Sequence, residues 1–222
     1  MNALLWDNDG ILVDTEPLYM EVTRDILAEV DVGLSLEQYR EVSLKQGQSC
    51  FDLARSAGID EVSIERLRRR RDEAYHARVL KGVDLMVGAR ETLRALHGRL
   101  PMAIVTSSHP ENLHAMHRDH EIDIFFDTVV ASGDYARSKP HPDPYLEAAS
   151  RLGVNPRSCV AIEDTERGLQ AAVAAGMECW VIPHALSEGS DFSSAHRILS
   201  NIREVEQWVD ERLKNGSKPP TD

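Results

Sequence analysis

Ala3-Leu4-Leu5-Trp6-Asp7-Asn8-Asp9-Gly10-Ile11-Leu12-Val13-Asp14 is the stretch that decides how this chain is read. A short apolar run ends on two aspartates spaced two apart, with a glycine behind them. An apolar run of this length without polar alternation predicts a strand buried on both faces, the kind found in parallel sheets. Residues two apart in an extended segment point the same way, so Asp7 and Asp9 can face one pocket. A turn rich in Asp, Asn and Gly has the same composition, so the pair gains meaning only from the rest of the chain.

Four more runs share the character of the first: Met102–Thr106, Thr128–Ser132, Cys159–Asp164 and Cys179–Pro183. Helix signals separate these four. Pro110 and Glu111 suit a first turn ahead of Leu113 and Met116. Asp143-Pro144 reads as an N-cap followed by a first-turn proline, with Gly153 as the stop. Thr165 can cap a helix carrying Leu169, Ala172 and Val173 that ends at Gly176. Strand–helix alternation of this kind predicts an α/β fold, a Rossmann-like doubly wound parallel sheet. The first strand breaks the rhythm, because the next core-like helix, Gly88 to Leu96, comes only after a long insert. Within the insert Val22, Ile26 and Val30 share one helical face; Leu36, Tyr39 and Val42–Ser43 make a second helix and Val62 to Val79 a third. The predicted organisation is a core of residues 1–14 and 85–213, a helical cap of residues 15–84, and a frayed tail over 214–222.

The 222 residues hold 25 Lys and Arg against 37 Asp and Glu, a formal net charge of −12, which excludes a general nucleic-acid binder. The uncharged stretch Gly168 to Met177 falls far short of the roughly 20 apolar residues a membrane span needs. Asp7 and Asp9 interrupt the N-terminal apolar run and the first basic residue is Arg24, so no secretory leader is expected and the chain is read as cytoplasmic. Cys50, Cys159 and Cys179 are odd in number and widely spaced, which points to reduced core residues rather than disulfides or a zinc knuckle. The block Arg66-Leu67-Arg68-Arg69-Arg70-Arg71 reads as a solvated helix face paired with Glu65, Asp72 and Glu73. His114, His117 and His120 also read as a solvated face, whereas His109 is a candidate for contacting substrate.

Chemistry concentrates at strand ends. Beyond Asp7 and Asp9 there are Glu163-Asp164 ending the fourth run, Thr106-Ser107-Ser108 leading from the second run into a helix, and Lys139-Pro140 before another helix. Each has an ordinary explanation as a cap, a turn or a surface lysine. Together they fall on one edge of one sheet, where open α/β sheets hold their ligands. Two like charges ~4 Å apart repel by about 4 kcal/mol at an effective dielectric near 20. A hard divalent cation relieves that repulsion, and Mg²⁺ suits few protein ligands plus phosphate and water. The four carboxylates are balanced by Mg²⁺, Lys139 and one proton, placed on Asp9.

The run from Asp7 to Glu16 resembles the first motif of the haloacid dehalogenase superfamily, and Thr106-Ser107-Ser108 the second. Lys139-Pro140-His141-Pro142 resembles the third and Glu163-Asp164-Thr165 with Gly168 the fourth. The insert is similar to the cap of the β-phosphoglucomutase and sugar-phosphatase branch. The resemblance implies sheet order 5-4-1-2-3 and a Mg²⁺-dependent phosphatase of a small phosphorylated metabolite, a sugar phosphate foremost. It implies Asp7 as nucleophile and Asp9 as general acid and base. The metal would be held by Asp7, the Asp9 backbone carbonyl and Asp164, with Glu163 as a direct or outer partner. Thr106, Ser107 and Lys139 would bind the phosphoryl group, and Thr15 and Glu16 would sit at the cap hinge, Glu16 near substrate. The alternative is a phosphosugar mutase. Mutases of this branch carry an arginine for the distal phosphate in a cap loop, where this chain has Leu44-Lys45-Gln46-Gly47 with Lys45 as its cation. A non-catalytic binding domain on the same fold is the reading the four motifs disfavour. No nucleic-acid or membrane partner is expected, and the chain is expected to be a monomer or weak homo-oligomer.

Overall fold

The computed structural model describes residues 1–216. Among them six strands form one parallel sheet in the order β3-β2-β1-β4-β5-β6. These are β1 Ala3–Trp6, β2 Met102–Val105, β3 Thr128–Val130, β4 Cys159–Glu163, β5 Glu178–Val181 and β6 Arg197–Ile198. The first five fall on the five predicted runs, in the expected order read from the opposite edge. Strand β6 escaped prediction because two residues at a sheet edge, with Ile198 61% exposed, carry no apolar run.

Strand β1 is central, with Leu5 opposite Ala103 of β2 and Ala161 of β4. Its side chains alternate between two covered faces. Leu4, Trp6, Ile104, Ile162 and Trp180 pack with Leu93 of α5 (Ala89–Leu96) and with Val205 and Val209 of α9 (Glu204–Gly216). Leu5, Ala103, Ala161 and Val181 pack with Tyr145 and Ala148 of α7 (Asp143–Leu152) and with Leu169 and Ala172 of α8 (Glu166–Ala174). Burying each large apolar side chain contributes about 1.5–3 kcal/mol. A one-residue slip would exchange the faces and send Trp6 into space shaped for Leu5, so the register is fixed by packing.

Two predicted boundaries move. Asp143 is the first residue of α7 rather than its cap, with Pro142 before it and Pro144 in the first turn, where the missing N–H breaks no helical hydrogen bond. Helix α9 runs to Gly216, past the point where fraying was expected; the remainder of the predicted tail, 217–222, lies outside the described residues.

The insert after β1 is helical, as expected: α1 (Glu16–Ala28), α2 (Leu36–Tyr39) continuing as a π turn over Arg40–Lys45, α3 (Asp52–Ser56) and α4 (Glu61–Val79). Helix α3 went unpredicted because five residues show too little periodicity. Val22, Ile26, Tyr39, Phe51 and Ile64 form a separate apolar cluster, joined by Ala115 and Met116 of α6 (Pro110–His117). The chain enters and leaves this insert side by side. The Asp14 N–H donates to the Asp84 carbonyl, the Met86 N–H donates to the Leu12 carbonyl, each at 2.9 Å, and Val13 bridges Leu85. The three cysteines are free and buried. No helix among the described residues is long and apolar enough to cross a membrane.

Candidate active site

Parallel strands deliver their carboxyl ends to one edge, and the predicted residues meet there. Asp7 follows β1, Thr106 follows β2, Glu163 ends β4 and Asp164 comes next. Lys139, in the segment before α7, reaches under them. Its Nζ donates to Asp7 Oδ1 at 2.8 Å, to Glu163 Oε1 at 2.7 Å and to the Val105 carbonyl at 2.9 Å. All three ammonium donors are therefore engaged, and the Lys139 side chain is 2% exposed. Tyr145, which the sequence did not single out, donates its hydroxyl to Glu163 Oε1 at 2.5 Å. Glu163 Oε2 accepts the Asp164 N–H at 3.2 Å and the Thr165 hydroxyl at 3.4 Å.

Asp7, Glu163 and Asp164 each offer an oxygen within 4.8 Å of the others. Burial pushes the Asp7 carboxyl well above the usual range, Glu163 adds to the rise, and Lys139 opposes it. Burial raises Asp164 as well, against His184, whose Nε2 lies 2.8 Å from Asp164 Oδ2. Burial also works against the Lys139 ammonium, but Asp7 and Glu163 hold its pKa above that of an ordinary lysine. Asp164 Oδ1 is buried with no hydrogen-bond partner. Leaving such an atom unsatisfied costs about 1–3 kcal/mol or more. Crowded, desolvated carboxylates and an orphaned oxygen are what a hard cation with oxygen ligands would relieve, so the donor set fits Mg²⁺.

Two glycines of the predicted motifs make room for these groups. A Cβ on Gly10, whose φ is +80°, would lie 2.1 Å from Asp164 Oδ2, and one on Gly168 would lie 2.0 Å from Glu163 Oε2. Only a residue without a side chain lets the backbone approach the carboxylates this closely.

Asp9 stands beside this cluster, its carboxylate held by hydroxyls. Thr15 donates to Oδ1 at 2.6 Å, while Thr106 and Ser108 donate to Oδ2 at 3.1 and 3.0 Å. Thr106, expected on a phosphoryl group, thus also positions Asp9. Ser107 pairs with Ser138 at 3.1 Å and faces the cavity. His117 corrects the solvated-face reading of the three histidines. It is buried, with Nε2 2.7 Å from Asn8 Oδ1 and Nδ1 2.5 Å from Asp123 Oδ1. His114 is exposed, and His120 bonds the Val83 carbonyl.

Above the cluster lies a cavity of about 400 Å³, with Asp7, Asp9, Asp164 and Ser107 on the core side. Glu16, Arg68 and Arg71 face it from the insert, and Arg167 from α8. The arginine block is therefore not uniformly solvated: α4 turns Arg68 and Arg71 inward, while Arg69 stays exposed and Arg70 pairs with Glu29. Helical spacing of three places Arg68 and Arg71 on one face, a signal that was present in the sequence but outweighed by the neighbouring acids. Lys45 stays out of the cavity. It pairs with Glu41 at 3.4 Å in a separate groove with Glu166 and Asp191. His109 lines the cavity but is exposed.

Burial raises the Glu16 carboxyl to about 7, against the Tyr39 hydroxyl that donates to its Oε1 at 2.5 Å. Between an unfolded value of 4.5 and this folded value, the unfolded chain releases the proton and the folded chain keeps it, so stability falls as pH rises through that window. Glu16→Gln removes this contribution. In urea titrations its stability relative to the parent should climb by about 2–3 kcal/mol between pH 4.5 and 8. A constant difference across the range would mean that Glu16 ionises as freely in the folded protein as in the unfolded one.

The sequence model of the haloacid dehalogenase-like hydrolases matches residues 4–182. The chain is 32% identical over 179 residues to the fructose-1-phosphate phosphatase YqaB of Escherichia coli, covering 79% of this chain and 93% of that one. A crystal structure of a mutant CbbY from Rhodobacter sphaeroides, in complex with xylulose-(1,5)bisphosphate, superposes with a TM-score of 0.78 at 28% identity. It covers 92% of this chain and 96% of its own. The β-phosphoglucomutase of Clostridium difficile superposes with a TM-score of 0.82 at 18% identity, covering 97% and 98%, a likeness of fold alone.

Proposed function

The chain is an enzyme of the haloacid dehalogenase-like hydrolase family, and on that premise we propose that it is a Mg²⁺-dependent phosphatase of a small phosphorylated metabolite, a sugar phosphate foremost. The observation that carries this reading is the buried Asp7–Lys139–Glu163 cluster with the orphaned Asp164 Oδ1 at the floor of a 400 Å³ cavity. Asp7, the Asp9 backbone carbonyl and Asp164 would hold the metal, with Glu163 beside them. When bound, Mg²⁺ would neutralise charge on the phosphoryl oxygens and the carboxylates.

The chain's own residues do the rest. Asp7 attacks phosphorus and the ester P–O bond breaks, leaving a phosphoryl group on Asp7. Asp9 gives its proton to the departing oxygen, then takes one from the water that hydrolyses the aspartyl-phosphate. Lys139 faces the phosphoryl charge from below, while the Thr106 and Ser107 hydroxyls face it from the segment between β2 and α6. Residues 15–84 act as a cap over a core of residues 1–14 and 85–213, hinged at the Asp14–Asp84 pair, with Glu16 on the substrate side. The enzyme works in the cytoplasm as a monomer or weak homo-oligomer. A mutase would need the alcohol of a second sugar, rather than water, to take the phosphoryl group from Asp7, and assays with a bisphosphorylated sugar as activator separate the two.

The deciding assay is phosphate release from a panel of phosphorylated metabolites and an aryl phosphate. Chelation should reduce turnover to background and Mg²⁺ should restore it. Ca²⁺ should bind but support turnover poorly, because its looser coordination misplaces Asp7. Undiminished turnover in excess chelator would remove the metal from the reaction.

A further inference from the structure

His184 follows the carboxyl end of β5, and its ring is held at both nitrogens. Nδ1 accepts the Leu186 N–H at 3.1 Å, and Nε2 lies 2.8 Å from Asp164 Oδ2. A backbone N–H can only donate, so Nδ1 carries no proton and the ring is fixed as the tautomer that donates from Nε2 to Asp164. The 3-10 turn Ala185–Ser187, which His184 caps, accounts for Nδ1 alone. A serine or asparagine would accept the same N–H, whereas an imidazole accepts at one end and donates at the other.

The donor goes to one particular oxygen. A Cβ on Gly10 would lie 2.1 Å from Asp164 Oδ2 and 3.4 Å from His184 Nε2, so Oδ2 is enclosed between the Gly10 backbone and the imidazole. Asp164 Oδ1, buried and without a hydrogen-bond partner, is the oxygen left for a cation. His184 is not itself a ligand: among the described residues, the side chains close enough to share one ion are Asp7, Glu163 and Asp164.

The turn that carries His184 is in turn held from the insert. Arg40, at the start of the π turn after α2, donates from Nε to the Leu186 carbonyl at 3.1 Å and from Nη2 to the Ala185 carbonyl at 2.5 Å. Nη2 also meets Glu188 Oε2 at 3.0 Å. Within the turn the His184 N–H donates to the buried Ser187 hydroxyl at 3.0 Å, and the Ser187 N–H returns to the His184 carbonyl at 3.0 Å. Hydrogen bonds thus run without a break from an arginine of the insert to Asp164.

We infer that His184 is a positioning residue for the metal site: its Nε2–H holds Asp164 Oδ2, leaves Oδ1 to ligate the cation, and depends on Arg40 to keep its turn in place. The inference rests on the Mg²⁺ reading of the acidic cluster. Metal affinity then depends on a contact between the insert and the core, at a point outside the cavity.

Mn²⁺ is the probe, because electron paramagnetic resonance reads its unbound fraction without any turnover, and competition then gives the affinity for Mg²⁺. Asparagine reproduces the Nδ1 position and keeps the cap, glutamine reproduces the Nε2 position and keeps the donor, and leucine keeps neither. His184→Leu and His184→Asn should bind Mn²⁺ about 10- to 100-fold more weakly than the parent, the usual cost of removing a partner of a metal ligand. His184→Gln should recover most of that loss. Arg40→Met should weaken binding severalfold in the parent and have no further effect in His184→Leu, because it acts through the same residue. The rise in melting temperature that Mg²⁺ gives each protein should shrink in the same order. Circular dichroism shows which variants fold, and His184→Asn with His184→Gln decides the matter if His184→Leu does not. Parent-like affinity in His184→Asn would reduce His184 to the cap of its turn and overturn the inference. Parent-like affinity in Arg40→Met would overturn the link to the insert. If the parent binds no Mn²⁺, the metal reading itself fails and the inference falls with it.

Discussion

Asp9→Asn should release about one phenol per enzyme from an aryl phosphate in a burst and then stall with a phosphoryl group on Asp7. The substitution keeps the size of the side chain and the backbone carbonyl while removing both proton transfers. An acidic phenol leaves with little help, so the first step survives and hydrolysis of the aspartyl-phosphate fails. A sugar alkoxide is a poor leaving group, and for a sugar phosphate the first step should itself slow by roughly 10²–10⁴-fold. Asp7→Asn should show neither burst nor label. Parent-like turnover of sugar phosphates by Asp9→Asn would remove Asp9 from the acid–base role.

Lys139→Met should cost about 3–5 kcal/mol of stability at pH 7.5 in chelator, a fall in melting temperature of roughly 10 °C, because it leaves buried carboxylates without their cation. The direction with pH follows from Asp7, whose carboxyl burial already raises and Lys139 already restrains. A raised carboxyl favours the folded state at low pH, and that advantage is lost as pH climbs through its folded value. The deficit of the variant should therefore shrink at pH 5 and grow toward pH 8. Mg²⁺ should recover part of it, since a second cation enters the same cluster. Catalysis should fall by about 10²–10³-fold, the usual cost of removing a preorganised charge from a transition state. A melt indistinguishable from the parent at pH 7.5 would mean that Asp7 and Glu163 do not depend on this ammonium.

The sheet and the acidic cluster were legible for a shared reason. Strands buried on both faces must be apolar along their length, and a parallel sheet must present its loops at one edge. Asp7, Thr106, Glu163 and Asp164 are therefore placed together by the sequence alone. Helix α3 and strand β6 were too short to carry a period. The arginines of α4 were visible, but a charged block beside Glu65, Asp72 and Glu73 has a sufficient explanation in helical pairing. Which face of α4 meets the cavity depends on how the insert packs against the core, and no spacing rule reports that. Lys45 failed in the opposite direction: its loop position suggested substrate, whereas an i,i+4 acid, Glu41, holds it outside. His117 had polar neighbours on its own helix, and its burial goes with partners beyond that helix, Asn8 and Asp123.

The paired backbone at Asp14 and Asp84 has a consequence for how such proteins diversify. Chain closure costs entropy when distant ends must be brought together, but here the ends are hydrogen-bonded neighbours whatever lies between them. Segments of different length or sequence can be exchanged at this point without moving β1 or the residues at its tip. Heritable change in the insert is thereby uncoupled from the residues held at the strand ends. Selection can vary the insert by editing one contiguous stretch of gene, with the acidic cluster at the sheet edge carried along intact.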